Sequence, residues 1–134
     1  MPIVSSTRCD WVPRVARRLV VVERHELLRK ALVRYFGLSF ETVNATENPD
    51  CVEELILAES QRPTDLLCRQ SFGPQRPTAS ALLPRWRRIL PSLGRVVITN
   101  ATDEPTVECD EADAVCVVPI DARVLREILL GPLK

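Results

Sequence analysis

Five cysteines and one histidine are the side chains of this chain best able to hold a soft metal, form a crosslink or act as a nucleophilic pair. Their spacing argues against all three. Cys9, Cys51, Cys68, Cys109 and Cys116 include no pair two residues apart, the separation of a zinc knuckle or a dithiol redox motif. An odd count beside a single histidine suits neither a disulfide framework nor a metal cage. Cys68 and Cys116 fall within apolar runs, where a reduced cysteine behaves as a small hydrophobe. The expected compartment is therefore reducing and cytoplasmic. His25 alone is weak ground for catalysis, and no Gly-rich or Ser/Thr-rich phosphate loop follows the first apolar run, which disfavours a flavin-dependent reductase. The chain is expected not to be an enzyme and to carry no cofactor or metal.

Charge is balanced in total and uneven along the chain. Eighteen basic and eighteen acidic residues cancel, which removes any general attraction to nucleic acid or anionic membrane. Residues 8–34 nonetheless hold eight basic groups, and residues 103–121 hold seven acidic groups and no basic one. These runs are either two partner-binding surfaces or solvated faces. With 134 residues, 46% of them hydrophobic, the chain suffices for one domain with a real core. No apolar stretch approaches the ~20 residues that span a bilayer. The polar amino terminus lacks a signal-peptide core.

Hydrophobic periodicity supplies the elements. Residues 1–16 show no steady period and read as an extension, with a helical turn near Trp11–Arg17; residues 17–134 read as the domain. Leu19–Val22 is a buried strand by composition. Leu27, Leu28, Ala31, Leu32 and Tyr35 give one helical stripe, stopped at Gly37. Phe40–Ala45 reads as a second strand. Asn48 and Pro49 open a helix through Val52, Leu55 and Ile56 to about Ser60. Asp65–Gln70 is a third strand. Ala79–Ile89 is helical by pattern, although Pro84 should kink it or push its start later. Arg95–Thr99 and Ala114–Val118 are the fourth and fifth strands, and Asp121 caps a last helix carrying Val124, Leu125, Ile128 and Leu129.

Five strands alternating with helices imply a parallel sheet covered on both faces. With right-handed crossovers, the common order is 2-1-3-4-5, a doubly wound flavodoxin-like α/β fold. In such sheets the functional pocket lies beyond the carboxyl ends of the strands. The run Val21-Val22-Glu23-Arg24-His25-Glu26-Leu27-Leu28-Arg29 resembles the opening of bacterial response-regulator receiver domains (CheY-like), in which the first strand ends in two acids. Arg62-Pro63-Thr64-Asp65-Leu66-Leu67 is similar to the start of that family's third strand. Val96-Val97-Ile98-Thr99-Asn100-Ala101 is similar to its fourth strand with a signature hydroxyl, and Ala112-Asp113-Ala114 with Val118-Pro119 to its fifth. The resemblance covers roughly residues 17–130.

That resemblance implies a phosphorylation pocket, and this sequence departs from it. The family needs an acceptor carboxylate, an acid pair for Mg²⁺, a hydroxyl and a lysine. Here the acid pair reads Glu23-Arg24, the acceptor position falls on Gln70, the lysine position reads Val118, and only Thr99 matches. A carboxamide cannot become an acyl phosphate. A register slip of one would put Arg69 at the acceptor position, which abolishes acceptance equally. Asp65 lies five residues back, about 16 Å along a strand. Arg24 or Arg69 is expected to reach into the pocket and partly fill the metal site, unless Arg24 simply faces solvent. Between Thr99 and Ala112 stand only twelve residues with Pro105 among them, so the family's fourth helix is expected to be shortened or missing. Its loss would alter the usual signalling face and leave Val115, Val117 and Val124, with the acidic Glu108, Asp110 and Glu111, as an interaction surface, unless the acidic loop folds over it.

The functional expectation is a degenerate pseudo-receiver: a regulatory module acting through protein contact without phosphorylation. The alternative is a small-ligand sensor that uses the vacated pocket. Expected partners are proteins, with a homodimer left open, and neither membrane nor DNA, because no helix-turn-helix pattern follows residue 130.

Overall fold

A computed structural model describes residues 15–58, 63–101, 109, 111–118 and 121–131, without the side chains of residues 15 and 118. Five parallel strands, β1 (Val15–Val22), β2 (Phe40–Thr46), β3 (Thr64–Arg69), β4 (Leu93–Ala101) and β5 (Ala114–Val118), form one sheet in the order β2-β1-β3-β4-β5. Helices α1 (Glu26–Phe36), α2 (Val52–Ala58), α3 (Ala79–Ile89) and α4 (Ala122–Leu130) flank it, with a 3-10 turn at Pro49–Cys51 ahead of α2. This is the flavodoxin-like arrangement that the alternation of elements implies.

Strand parity divides the core in two. Val20, Val22, Leu66, Cys68, Val96 and Ile98 face α2 and α3, where Ile56, Leu83 and Trp86 complete one cluster. Leu19, Val21, Leu67 and Val97 face α1 and α4, where Leu32, Phe36, Leu125 and Leu129 complete the other. Side chains alternate across a strand, so a strand covered on both faces is apolar at every position. Phe36 meets Phe40 edge-on with ring centroids 6.0 Å apart, which fixes the turn from α1 into β2.

β1 reaches back to Val15, so strand replaces the helical turn expected up to Arg17; residues 11–14 lie outside the described part. Two arginines sit in this inner strand because each is tied off. Arg17 donates to both carboxylate oxygens of Asp65, at 2.8 and 2.6 Å. Arg18, only 1% exposed, donates to the Thr64 hydroxyl at 3.2 Å and to the carbonyls of Leu55 and Ile56. Asp65 also accepts the backbone N–H of Arg95 at 2.8 Å, which locks β3 to β4. Gly94 is required beside this pair, since a Cβ there would collide with Arg17 and Asp65.

α3 starts at Ala79 in spite of Pro84, so the start is not pushed later. Thr78 caps it by accepting from the N–H of Ala81. α2 ends at Ala58 in the described residues, and the expected extension to Ser60 falls on residues 59–62, outside them. The segment between β4 and β5 falls mainly on residues 102–108 and 110, also outside; no helix lies among the described residues there. The turn into β5 is pinned where the Asp113 carboxylate accepts from Val96 N–H at 2.7 Å and the Asp113 N–H donates to the Val96 carbonyl at 2.8 Å.

Candidate functional site

At the carboxyl edge of the sheet, the face toward α1 and α4 gathers three polar side chains. Glu23 follows Val21 by two residues, Arg69 follows Leu67 by two, and Thr99 follows Val97 by two, so parity places all three on one face. Register puts Arg69 beside Thr99 across β3 and β4. Glu23 is 3% exposed, and one of its oxygens accepts the His25 N–H at 2.9 Å. The same oxygen stands 3.4 Å from Arg69 Nη1 and the other 3.5 Å away. Arg29 donates to the Glu23 carbonyl at 3.0 Å and anchors the first turn of α1 over the end of β1.

These groups border a cavity of about 600 Å³, lined otherwise by Leu28, Ala31, Leu32 and Tyr35 of α1, Leu67 of β3 and Leu125 of α4, with smaller contributions from the strand ends. The sequence left open whether Arg24 or Arg69 reaches this edge. The signal that finds it is the period of two: counting along a motif gives height on a strand, whereas parity gives the face.

Gln70 does not join this group. One residue further on, it faces α3, where its Oε1 accepts the Ser80 N–H at 3.0 Å and its Nε2 donates to the Ser80 hydroxyl at 2.8 Å. Its backbone completes the junction, donating to Thr99 and accepting from Ala79. The carboxamide is thus committed to the amino end of α3. Arg24 is exposed and borders a separate polar depression with His25, Glu47, Asn48, Phe72 and Arg76. Of the two arginines expected near the pocket, Arg69 reaches Glu23 and Arg24 faces solvent. Val118 ends β5 opposite Ala101, and its side chain lies outside the description.

The residues of the expected interaction surface are spread over β5 and α4. Val115 is half-buried against the core on the α3 side, while Val117 and Val124 are 46% and 42% exposed. Glu111 is exposed, and its carbonyl accepts from Arg87 at 2.7 Å. Glu108 and Asp110 lie outside the described residues.

The edge is poorly suited to a hard cation. Mg²⁺ wants near-octahedral oxygen ligands and is bound through carboxylates. Here Glu23, the one buried acid among the described residues of the edge, already meets a backbone N–H and a guanidinium, and a second positive charge would be repelled by Arg69. Among the described residues no group of three or more His, Cys, Asp or Glu side chains could hold a metal ion. Burial pushes the Cys68 thiol well above its usual range, and the charge of Glu23 adds to the effect, so this cysteine is kept protonated behind the site.

No family model and no curated protein sequence matches the chain. Solved structures do. The fold is similar to that of a DNA-binding response regulator of the LuxR family from Staphylococcus aureus, with 22% identity and a TM-score of 0.67 over 84% of this chain and 94% of that one. It is similar to a CheY-like response-regulator receiver domain protein from Methanospirillum hungatei, with 12% identity and a TM-score of 0.67 over 85% and 91%. An orphan response regulator of H. pylori gives 18% identity and a TM-score of 0.62 over 87% and 99%. The structural neighbours are thus receiver domains, and at these identities the likeness is one of fold. No described helix is long and apolar enough to cross a membrane.

Proposed function

We propose that the chain is a receiver-like regulatory module that works through protein contact and does not accept a phosphoryl group. The observation that supports this most directly is Arg69, a cation 3.4 Å from Glu23, the one buried acid among the described residues of the carboxyl edge. Phosphoryl transfer to a carboxylate needs an acceptor and a divalent cation to offset developing charge. Here the Gln70 amide is bound to Ser80, and the guanidinium of Arg69 stands beside Glu23 where receiver relatives would bring in the metal. The acid-acid repulsion that makes a metal-free receiver pocket sensitive to charge is replaced by an acid facing a cation, which removes the demand for a metal.

The test is a two-dimensional amide spectrum recorded with beryllofluoride and Mg²⁺, and separately with acetyl phosphate and Mg²⁺. The spectrum should stay unchanged. A saturable set of shifts centred on residues 23, 69, 70 and 99 would refute the proposal.

A further inference from the structure

Among the described residues the charged groups of the cavity between α1, α4 and the sheet gather at one end. Glu23, Arg69 and Thr99 stand at the carboxyl ends of their strands, and Val21 and Leu67 lie one pleat, about 6.6 Å, further in. From there the wall is mainly apolar: Leu32, Leu125 and Tyr35, the last with a phenol hydroxyl, line the inner part, and Leu28, 39% exposed, stands at the opening. A volume of about 600 Å³ falls in the range of roughly 300–1,000 Å³ in which pockets enclose drug-sized molecules. An apolar wall facing water favours an apolar occupant, because that contact releases ordered water.

The polar end specifies the head group. The Arg69 side chain is 14% exposed, and its contact with Glu23 at 3.4 Å is longer than the roughly 2.7–2.9 Å of a strong charge-assisted bond. Its Nε is buried and makes no hydrogen bond among the described residues. A guanidinium has five N–H donors, and a buried one without an acceptor is costly. Glu23, by contrast, has an acceptor site filled by the His25 N–H at 2.9 Å and lies against the guanidinium. The unmet demand is therefore for an acceptor, and a fork-shaped one suits the planar cation.

We propose that this cavity binds a small amphipathic monocarboxylate, its carboxylate on Arg69 and its aliphatic or aromatic body between α1 and α4. The site shares Glu23, Arg69 and Thr99 with the edge described above, but it needs neither metal nor acceptor aspartate and does not rest on the regulatory reading.

Decanoate and 1-decanol serve as probes in amide-detected titrations of the full chain, with Ala31→Trp and Arg69→Gln as variants. Ala31 is exposed on α1 at the rim, so a tryptophan there obstructs the cavity without entering the core. Decanoate should give saturable shifts mapped to α1, α4 and Thr99, and should bind at least tenfold more tightly than 1-decanol. Arg69→Gln should weaken decanoate about tenfold and leave 1-decanol unchanged, and Ala31→Trp should abolish both. The proposal is overturned if decanoate gives no saturable shift, if it and 1-decanol bind equally to the unmodified chain, or if Ala31→Trp leaves binding intact. Shifts that follow protein dilution instead of decanoate would assign the cavity to a second copy of the chain, and would overturn it as well. The comparison of the two probes on the unmodified chain stands even if Arg69→Gln fails to fold.

Discussion

Arg69 and Gln70 are neighbours in sequence and do opposite work because a strand turns successive side chains to opposite faces. Arg69 meets Glu23 beside the cavity, while Gln70 turns toward α3 and satisfies both the N–H and the hydroxyl of Ser80. At 5% exposure, Gln70 acts as a structural clamp between the end of β3 and the start of α3. Replacing it by alanine strands the N–H of Ser80 at a partly buried helix start and leaves its hydroxyl with Thr78 alone. Gln70→Ala should therefore cost about 1–2 kcal/mol in a urea denaturation series, with the cost falling on the α3 junction and leaving the amides of α1 unshifted. A change of a few tenths would show that water replaces the amide freely. The motif resemblance found the height of this pair on the sheet: Glu23, Thr99 and the end of β3 do come to one edge. It did not tell which of residues 69 and 70 faces Glu23. That was legible only by carrying the alternation Leu67–Arg69 and Val97–Thr99 through from the apolar core.

The elements were legible wherever apolar period and a cap agreed, as in α1, the Asn48–Pro49 turn and α4. They were not legible where tertiary contacts override local character. Val15–Arg18 reads as polar and irregular, yet it is inner strand, because Asp65 and Thr64 on β3 accept hydrogen bonds from two arginines that no local window connects to them. α4 shows how a charged cap couples an element to pH. Asp121 accepts the N–H of Arg123 at 2.8 Å and pairs with its guanidinium, and these contacts hold the Asp121 carboxyl below its usual range. A carboxyl depressed in the folded state contributes fully above its unfolded pKa of about 4, and that contribution is lost as pH falls through the folded value. Asp121→Asn keeps a capping oxygen and removes the charge. Its stability should match the parent more closely as pH drops from 5 to below 4, read from paired thermal melts; parallel curves would contradict the assignment. β5 raises a different matter, since it is an outer strand with Val117 46% exposed. An outward valine on an edge strand invites pairing with another chain, and a charge there opposes it. Val117→Glu should leave the melting temperature nearly unchanged and reduce any self-association seen by sedimentation velocity. Unchanged association would place the contact elsewhere.

At the scale of the whole molecule, two ion pairs bracket the sheet: Arg17 with the buried Asp65 at one end, Arg69 with the buried Glu23 at the other. A receiver-like sheet whose carboxyl edge held several unpaired acids would be stabilised by a divalent cation, because a ligand that binds only the folded state adds RT ln(1 + [L]/Kd). At a hundredfold excess over Kd that amounts to about 2.7 kcal/mol, or roughly 10 °C in melting temperature for a domain of this size. Among the described residues this edge offers the cation one buried acid, already bound to a backbone N–H and faced by a guanidinium. Its melting temperature should therefore be the same in Mg²⁺ and in NaCl of matched ionic strength, to within about 1 °C. Arg69→Ala sharpens the test. Removing that cation leaves Glu23 buried without its ion pair, which should lower stability, and the loss should be partly recovered by Mg²⁺ only if the edge can gather further oxygen ligands from the backbone or water. Recovery in the variant with none in the parent would show that a single arginine separates this sheet from a metal-binding one; a Mg²⁺-dependent rise in the parent would mean that Arg69 does not guard the edge.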